Sequence, residues 1–267
     1  MDLHLSEKRA LVTGSTAGIG AAIARQLASE GAAVVVHGRD EQRGQRLAAE
    51  LTRAGGRAIF IGADLARSAD TTRLASRARA ALGSIDILVN NAAIYPQHTW
   101  FEGAADEWTR YYELNVVAGV RLIQEFVPEM KRAGWGRVIQ ISSGEGLRPF
   151  PHMPGYAATK AALHNTTASL CQALAGSGVT VNAIAAGLIR TPEVERWFYA
   201  DAKVRGSSDR WDEIEANILE SYLPIPVGHI GTADDVARVA AFLASPDTAF
   251  VNGAVVRVDG GSHTWAG

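Results

Sequence analysis

The chain has 267 residues, of which 26 are basic and 28 acidic, so its formal net charge is -2. This near balance gives no electrostatic reason to expect nucleic acid or an anionic membrane surface as a partner. No apolar run approaches the roughly 20 residues that a membrane-spanning helix needs. The single cysteine, Cys171, cannot form a disulfide within the chain, and the first residues lack the apolar core of a secretory signal. These features favour a cytoplasmic protein.

Short β-branched runs alternate with stretches of helical periodicity along the whole chain. Strands are predicted at 10–13, 34–37, 58–61, 85–89, 138–141, 179–184 and 254–258. Helices are predicted at 19–30, 41–54, 69–82, 116–132, 156–175 and 233–244. Strands this continuously apolar need helices on both faces of the sheet, as parallel sheets have. The sequence therefore predicts a doubly wound, mostly parallel α/β fold with about seven strands.

No Pro/Ser-rich or low-complexity segment divides the chain, which predicts one domain over 1–267. The exception to the regular alternation is the segment 187–231, a long connection that contains three prolines. Its aromatic residues are Trp197, Phe198, Tyr199, Trp211 and Tyr222. A long loop inside a compact domain is usually functional or mobile, so this segment is predicted to be an insertion that covers a substrate.

A glycine-rich turn joins the first predicted strand to the first helix, with the sequence Thr-Gly-Ser-Thr-Ala-Gly-Ile-Gly over 13–20. Glycines let a backbone turn tightly and approach a pyrophosphate, whose charge is favoured by the free N–H groups and dipole of a helix N-terminus. Phosphate contacts are predicted at Gly14, Thr16, Gly18, Ile19 and Gly20. A tight turn without a ligand is the alternative, and the strand–turn–helix setting favours binding.

The end of the second strand is expected to face the adenosine ribose of a dinucleotide. A carboxylate there would accept hydrogen bonds from a free 2′-hydroxyl, but the position holds Gly38. Arg39 follows it and suits a 2′-phosphate, which favours NADP(H) and leaves NAD(H) possible. In the alternative interpretation, Arg39 is only solvated, and Asp40 contacts the ribose or caps the next helix.

A second group of polar residues lies further along the chain. Ser143 closes the strand predicted at 138–141, and Tyr156 and Lys160 lie four residues apart on one face of the following helix. A Tyr-x-x-x-Lys pair alone is a weak signal. With the glycine-rich turn, Asn90-Asn91-Ala92, and the spacing of thirteen residues from Ser143 to Tyr156, the chain resembles the short-chain dehydrogenase/reductase family over essentially its whole length.

This resemblance implies a Rossmann fold and hydride transfer between a nicotinamide cofactor and a ketone or secondary alcohol. It implies that Tyr156 is the acid/base, Ser143 holds the substrate oxygen, Lys160 binds the nicotinamide ribose and Asn115 completes a proton relay. It also implies a homotetramer or homodimer, formed through helix 156–175 and the helix before it.

Further cofactor contacts follow from the same resemblance. They are Asp64 and Leu65 beside adenine, Asn91 and Ala92 beside the adenosine ribose, and Gly187, Ile189 and Thr191 at the nicotinamide carboxamide. The chain departs from the family where Ala93 and Ala186 replace the frequent Gly and Pro. Both replacements are small, so the predicted chemistry is unaffected. No metal-ligand spacing is present, and His98 and His152 are interpreted as ordinary loop histidines.

The predicted proton transfer has a physical basis. A free tyrosine has a pKa of about 10. The Lys160 cation, together with an oxidised nicotinamide, is expected to lower the pKa of Tyr156 so that it exchanges protons near neutral pH. During reduction Tyr156 would protonate the oxygen that receives negative charge, while Ser143 holds that oxygen.

Substrate contacts are predicted at Ser143, Tyr156, Ile94, Glu145 and Trp197, because ligands of such sheets bind beyond the carboxyl ends of the strands. Apolar and aromatic residues in these loops favour a cyclic or acyl ketone, although each could instead pack on its own helix. The leading hypothesis is an NADPH-dependent ketoreductase. The alternatives are an NAD-dependent alcohol, sugar or steroid dehydrogenase, and a dinucleotide-binding regulatory protein without turnover, against which the intact Ser143, Tyr156 and Lys160 argue.

Overall fold

The computed structural model describes residues 2–95, 99–102 and 104–262, so the predicted loop histidine His98 lies outside the described residues. Seven strands form one sheet in the order β3-β2-β1-β4-β5-β6-β9. They are β1 (Arg9–Val12), β2 (Ala33–Gly38), β3 (Arg57–Gly62), β4 (Ile87–Asn90), β5 (Gly136–Ser143), β6 (Val179–Ala186) and β9 (Val255–Val258). Every neighbouring pair is parallel. The predicted doubly wound parallel fold is confirmed.

Helices cover both faces of this sheet. They are α1 (Gly18–Ser29), α2 (Glu41–Arg53), α3 (Ser68–Leu82), α4 (Ala105–Tyr112), α5 (Ala118–Ala133), α6 (Pro154–Ala173), α7 (Pro192–Arg205), α8 (Trp211–Asn217) and α9 (Ala233–Ala244). Buried side chains of α1, α2 and α9 form the core on one face. Those of α3 and α5 form the core on the other face. The strands are therefore buried on both sides, as their continuous apolar runs require.

The strand order places the functional crevice. From β1 the chain moves outward to β2 and β3, then returns to place β4 on the other side of β1. The loops after β1 and β4 consequently diverge at the carboxyl edge and open a crevice there, which is where doubly wound sheets bind ligands.

Helix α4 and the π-helical turn that follows it, Glu113–Val117, were not predicted. The expected helix 116–132 is the second part of a longer helical stretch that begins at Ala105. Asp106 and Glu107 in its first turn are signals for that start, since acidic residues favour helix N-termini. The π-helical turn contains Asn115, and such turns often occur at functional sites.

The segment 187–231 is largely helical, so the expectation of a long loop was wrong. It contains α7, α8, a π-helical turn at Ile218–Tyr222, and the two-stranded pairing of β7 (Ile189–Arg190) with β8 (Gly231–Thr232). The physical reason lies in the ends of α7, where Thr191 caps the first turn, Pro192 follows it, and Gly206 ends the helix in the left-handed region. Thr191, Pro192 and Gly206 are helix-boundary signals already present in the sequence. The density of aromatic residues in this segment led instead to the prediction of a loop.

No helix in the described part of the chain is long and apolar enough to cross a membrane.

Candidate active site

A cleft of about 1190 Å³ lies along the carboxyl edge of the sheet. Nearly all of the predicted site residues line it, although they come from widely separated loops. They are Gly14, Thr16, Gly18, Ile19, Gly20, Arg39, Asp64, Leu65, Asn91, Ala92, Ile94, Ser143, Glu145, Tyr156, Lys160, Gly187, Ile189, Thr191 and Trp197. Asn115 is the predicted residue that does not line the cleft. The fold therefore brings the predicted cofactor and substrate residues to one cavity.

The glycine-rich turn is shaped by contact with the end of β4. The Asn91 side-chain amide donates to the Thr13 carbonyl at 2.8 Å and to the Gly14 carbonyl at 3.2 Å. A Cβ atom at Gly20 would lie 2.5 Å from both Asn91 Nδ2 and the Gly14 carbonyl oxygen. Only glycine therefore lets α1 start this close to the turn. Asn91, predicted beside the ribose, uses its side chain to hold this backbone.

Helix α1 begins without a capping side chain. Ala17 occupies the N-cap position and makes no side-chain cap hydrogen bond within the described chain, and the first turn contains no acidic residue. Asp40 caps α2, Thr191 caps α7 and Thr232 caps α9, whereas α3, α4, α6 and α8 lack a side-chain cap hydrogen bond, as α1 does. What distinguishes α1 is the glycine-rich turn that precedes it in the cleft. The first N–H groups of α1 are thus left for an anionic ligand, such as a pyrophosphate.

A buried histidine, which the sequence analysis missed, supports the same turn. His37 Nδ1 accepts from the Gly14 N–H at 3.2 Å, and His37 Nε2 lies 3.2 Å from the Ala63 carbonyl oxygen. The ring must therefore be neutral, with its proton on Nε2. Burial lowers the pKa of His37 to about 4, in agreement with a neutral ring. His37 links the glycine-rich turn to the loop after β3, where Asp64 and Leu65 lie.

The adenosine end of the cleft offers a cation and no carboxylate for the ribose. A side chain at Gly38 would place its Cβ 2.5 Å from the Thr16 Cγ2 atom, so Thr16 excludes an acidic residue at the strand end. Asp40 accepts from the Arg43 N–H at 2.9 Å and pairs with the Arg43 guanidinium at 3.1 Å. Arg39 is exposed beside the cleft and makes no hydrogen bond or ion pair with any residue that the structure describes. The predicted capping role of Asp40 is what the structure shows.

Tyr156 and Ser143 lie together at the other end of the cleft. Tyr156 is on the first turn of α6, and Ser143 is the last residue of β5. Burial raises the pKa of Tyr156 to about 12, against the lowering effect of its hydrogen bond with Ser143 and with a further rise from Glu145. Tyr156 is therefore a neutral phenol at physiological pH in the protein without ligands.

Lys160 lies one turn beyond Tyr156 and is also fully enclosed. Its Nζ donates to the Ile141 carbonyl at 2.7 Å and lies 5.4 Å from the centre of the Tyr156 ring. Burial lowers the pKa of Lys160 to about 7. In the protein without cofactor, burial penalises the charged form of both side chains. The lowering of the Tyr156 pKa by Lys160 together with an oxidised nicotinamide stays a prediction.

Asn115 lies outside the cleft and forms hydrogen bonds with two segments next to it. Its Oδ1 accepts from the Ile94 N–H at 2.9 Å, and its Nδ2 donates to the Ile94 carbonyl at 2.9 Å and to Thr159 Oγ1 at 3.1 Å. Thr159 in turn donates to the Tyr156 carbonyl at 2.7 Å. Asn115 thereby connects the loop after β4, where Ile94 lies, to the turn of α6 that carries Tyr156.

The segment predicted to hold the nicotinamide carboxamide follows β6. The Gly187 N–H donates to the Val258 carbonyl at 2.9 Å, which fixes this backbone against β9. Ile189 begins β7, and Thr191 Oγ1 accepts from the Val194 N–H at 3.3 Å as the cap of α7. The Thr191 hydroxyl proton is still available for a ligand while its oxygen accepts that bond.

Aromatic residues close the substrate end. The Trp197 ring lines the cleft and lies 6.4 Å from the Tyr222 ring. Tyr222 is hydrogen-bonded to His152 Nε2 at 3.2 Å, and the His152 ring stacks on Phe150 at 5.7 Å. The segment 187–231 is therefore joined to the loop that follows Ser143. Trp211, another predicted aromatic of this segment, packs instead against Arg190 at 4.4 Å.

Within residues 2–95, 99–102 and 104–262, no group of three or more His, Cys, Asp or Glu side chains is arranged to hold a metal ion.

Comparison with known proteins agrees with this geometry. A family model described as short chain dehydrogenase matches residues 8–201. The chain belongs to the short-chain dehydrogenase/reductase family. It is 34% identical over 267 residues to 3beta-hydroxysteroid dehydrogenase 1 of Eggerthella lenta, covering 98% of this chain and 96% of that protein.

Solved structures of family members superpose over nearly the full length. L-Sorbose reductase from Gluconobacter frateurii, complexed with NADPH and L-sorbose, is 32% identical with a TM-score of 0.94 and covers 100% of both chains. A 7α-hydroxysteroid dehydrogenase complexed with NADH and 7-oxo glycochenodeoxycholic acid is 31% identical, with a TM-score of 0.87, and covers 98% of this chain and 96% of that one. The chain is thus an NAD(P)-dependent oxidoreductase that acts on a small molecule.

Membership of the short-chain dehydrogenase/reductase family does not by itself choose the cofactor or the substrate. The two solved relatives carry NADPH and NADH, respectively, and different substrates. These properties depend on the side chains that line the cleft, including Arg39 at one end and Glu145 at the other.

Proposed function

We propose that this enzyme is a ketoreductase, which transfers hydride from NADPH to an acyl or cyclic ketone with Tyr156 as the proton donor. The observation that carries this proposal is the neutral, enclosed Tyr156 beside Ser143, in the same cleft as the uncapped N-terminus of α1. In reduction the substrate oxygen receives a proton, and Tyr156, as a neutral phenol, can donate it.

The residues present fit a nicotinamide dinucleotide. The first turn of α1 and the glycine-rich turn would hold the pyrophosphate, Asp64 and Leu65 would flank the adenine, and Asn91 and Ala92 would lie beside the adenosine ribose. Gly187, Ile189 and Thr191 would hold the carboxamide. When bound, the reduced cofactor supplies the hydride that a carbonyl carbon accepts.

The side chains of this protein would hold the carbonyl oxygen and transfer the proton to it. Ser143 and Tyr156 donate hydrogen bonds to the carbonyl oxygen, which polarises it and fixes its position. As negative charge develops, the proton of Tyr156 moves to that oxygen. Lys160, held by the Ile141 carbonyl, binds the nicotinamide ribose, and its charge favours the phenolate that remains. Asn115 acts as a positioning residue through Ile94 and Thr159 and belongs to the proposed relay.

The substrate end supports a ketone with an apolar body. We propose that the single domain 1–267 carries residues 187–231 as a lid over this substrate, with Ile94 and Trp197 among the contacts. Aromatic rings from both sides of the cleft enclose this end, including Tyr95, whose ring centre lies 6.0 Å from that of Tyr156. Once a substrate fills the cleft, such a lining would limit the access of water to the reacting carbonyl.

The preference for NADPH rests on the charges at the adenosine end. Arg25, Arg39 and Arg43 line this end. Arg25 is bound to Glu50 at 2.7 and 3.1 Å, and Arg43 is bound to Asp40. Arg39 is the arginine left without an acidic partner in the described structure, so it would bind the 2′-phosphate.

Replacing Arg39 by Ala is expected to lower the ratio of kcat/KM with NADPH to that with NADH by about 10- to 100-fold, since hydrogen bonds to charged groups contribute about 1.5–3 kcal/mol. Steady-state kinetics with both cofactors measure this ratio. The matched control is Arg43→Ala, which removes a cation already paired with Asp40 and should change the ratio much less. An unchanged ratio in Arg39→Ala would instead support the alternative, an NAD-dependent alcohol, sugar or steroid dehydrogenase.

We also propose a cytoplasmic homo-oligomer, a dimer or tetramer, that pairs through α6 and the helix before it. Cys171 is a free thiol, as expected in a reducing compartment. The exposed positions of α6 include Ala161 and Ala168, whose small side chains allow another helix to approach closely. Light scattering after size exclusion should give two or four times the chain mass of 28.3 kDa. A monomer at micromolar concentration would contradict this proposal.

A further inference from the structure

A buried carboxylate lies at the substrate end of the cleft, two residues after Ser143. Glu145 is 9% exposed and belongs to the short turn Gly144–Gly146 that follows β5. Its backbone N–H donates to Ser143 Oγ at 3.2 Å, and its Oε2 accepts from the Phe150 N–H at 3.0 Å. The side chain is thus held rigidly beside the serine that would bind the substrate oxygen.

The charge of Glu145 is not compensated. No basic side chain in residues 2–95, 99–102 and 104–262 forms an ion pair with it, and no described residue donates a hydrogen bond to its Oε1 atom. Glu145 nevertheless lines the cleft. Burial is the main cause of the raised pKa values of Tyr156 and Tyr222, and the carboxylate of Glu145 adds to both, so Glu145 lies near each of the two phenols.

Glu145 Oε1 is not fully enclosed, so water in the cleft can serve it. A substrate that displaces this water without donating a hydrogen bond would leave a buried acceptor unsatisfied, which costs free energy. Oε2 is already satisfied by Phe150, and Oε1 is the atom in need of a donor. A purely apolar ketone would leave it unsatisfied and would remove the remaining water from it.

We propose that Glu145 selects ketones that carry a hydroxyl group close to the carbonyl, by accepting a hydrogen bond from that hydroxyl while Ser143 and Tyr156 hold the carbonyl oxygen. This inference rests on the proposed ketoreductase function and narrows its substrate class to hydroxyketones.

The neighbouring groups support a hydroxyl as the donor. Burial raises the pKa of Glu145, so its carboxylate is poorly hydrated, and a hydroxyl that donates a hydrogen bond to it would stabilise it. The Tyr222 hydroxyl and His152 form a further polar contact on the same side of the cleft, where additional hydroxyls of a substrate could bind. The aromatic rings of Phe150 and Trp197 leave room for the carbon skeleton.

The test uses ketones that differ by one hydroxyl. Cyclohexanone and 2-hydroxycyclohexanone form a cyclic pair, and butanone and 3-hydroxybutanone form an acyclic pair. For wild type, kcat/KM with NADPH is expected to be about 10- to 100-fold higher for the hydroxylated member of at least one pair, as expected for a hydrogen bond to a charged group. Glu145→Met should reduce this preference to less than about 3-fold, and Glu145→Gln should give an intermediate value because its amide oxygen is a weaker acceptor.

The preference ratio is the readout because Glu145 also influences Tyr156, and an effect on proton transfer changes both members of a pair equally. Glu145→Gln retains an oxygen for the Phe150 N–H, and thermal unfolding together with NADPH titration checks that each variant is folded. Turnover of the plain ketones by wild type without a preference, or an equal preference in Glu145→Met, overturns the inference and leaves the proposed function standing. Turnover of neither kind of ketone counts against both.

Discussion

Replacing Tyr156 by Phe is expected to lower kcat for carbonyl reduction by about 10²- to 10⁴-fold, the range that general acid catalysis contributes. The substitution removes one oxygen atom, retains the ring and leaves the rest of the cleft in place. The dissociation constant for NADPH, measured by fluorescence titration, should change by less than about 3-fold, because the glycine-rich turn and Arg39 lie at the other end of the cleft. The loss therefore belongs to the chemical step.

Tyr95→Phe is the matched control for this prediction. Tyr95 is a second tyrosine in the same cleft, and its ring makes an edge contact with that of Tyr156. Its phenol is hydrogen-bonded to Glu193, and together with burial this raises its pKa, so its proton is already committed. We expect kcat to fall less than about 10-fold in Tyr95→Phe. Retention of more than a tenth of kcat by Tyr156→Phe would remove Tyr156 from its proposed role.

The fold was predictable because each strand of the sheet is a short apolar run in the sequence, and such runs form strands that are buried on both faces. Residues 34–36, for example, are apolar at successive positions because β2 is covered on both faces, and Val35 and Val36 belong to the cores on opposite sides. Parallel order followed from the helices between strands. The glycine-rich turn was equally predictable from the sequence. Gly20 is required there because a Cβ atom would collide with the Gly14 carbonyl oxygen and with the side chain of Asn91 after β4.

Other features depend on contacts between residues far apart in sequence, and no local pattern announces them. Asn115 bonds with Ile94 and Thr159, which lie 21 and 44 residues away. His37 joins Gly14 to Ala63 only because β1, β2 and β3 are neighbours in the sheet. Sequence motifs were enough to predict which residues lie at the two ends of the cleft. The hydrogen bonds of Asn115 and His37 that support those residues were seen only in the structure.

The protonation states were the least predictable part of the site. The lowering of the Tyr156 pKa by Lys160 together with an oxidised nicotinamide stays a prediction, whereas in the protein without cofactor burial raises the pKa of Tyr156 and lowers that of Lys160. Charge attraction depends on how much water each group retains, and that quantity is set by the closed packing around α6. In reduction the bound cofactor is the uncharged dihydronicotinamide, so Tyr156 would begin as a neutral phenol and can donate its proton, whereas the positive nicotinamide of the reverse reaction would favour the phenolate.

Replacing Lys160 by Met is expected to reduce activity and, in the protein without cofactor, to raise stability at acidic pH. We expect kcat/KM for reduction to fall about 10²- to 10³-fold, since the charge near the nicotinamide ribose and the phenolate is lost. The effect on stability has the opposite sign. The pKa of Lys160 is about 7 in the folded protein and about 10.4 in an unfolded chain, so the unfolded state binds more protons between these values.

The free energy of unfolding of wild type should therefore rise with pH from about 7 to about 10, whereas the contribution of position 160 is independent of pH in Lys160→Met. Below pH 7 the wild type must bury a protonated lysine, so Lys160→Met should be more stable there by a few kcal/mol. Its advantage should shrink as the pH approaches 10. Urea unfolding of both proteins without cofactor, at pH 6, 7.5 and 9 and one protein concentration, measures the difference.

The control is Lys131→Met, which replaces an exposed lysine in the last turn of α5. Its difference in the free energy of unfolding from wild type should hardly change with pH. A pH-independent difference in Lys160→Met would mean that the folded protein compensates the charge of Lys160, and the proposed balance between burial and charge at Tyr156 would then have to be abandoned.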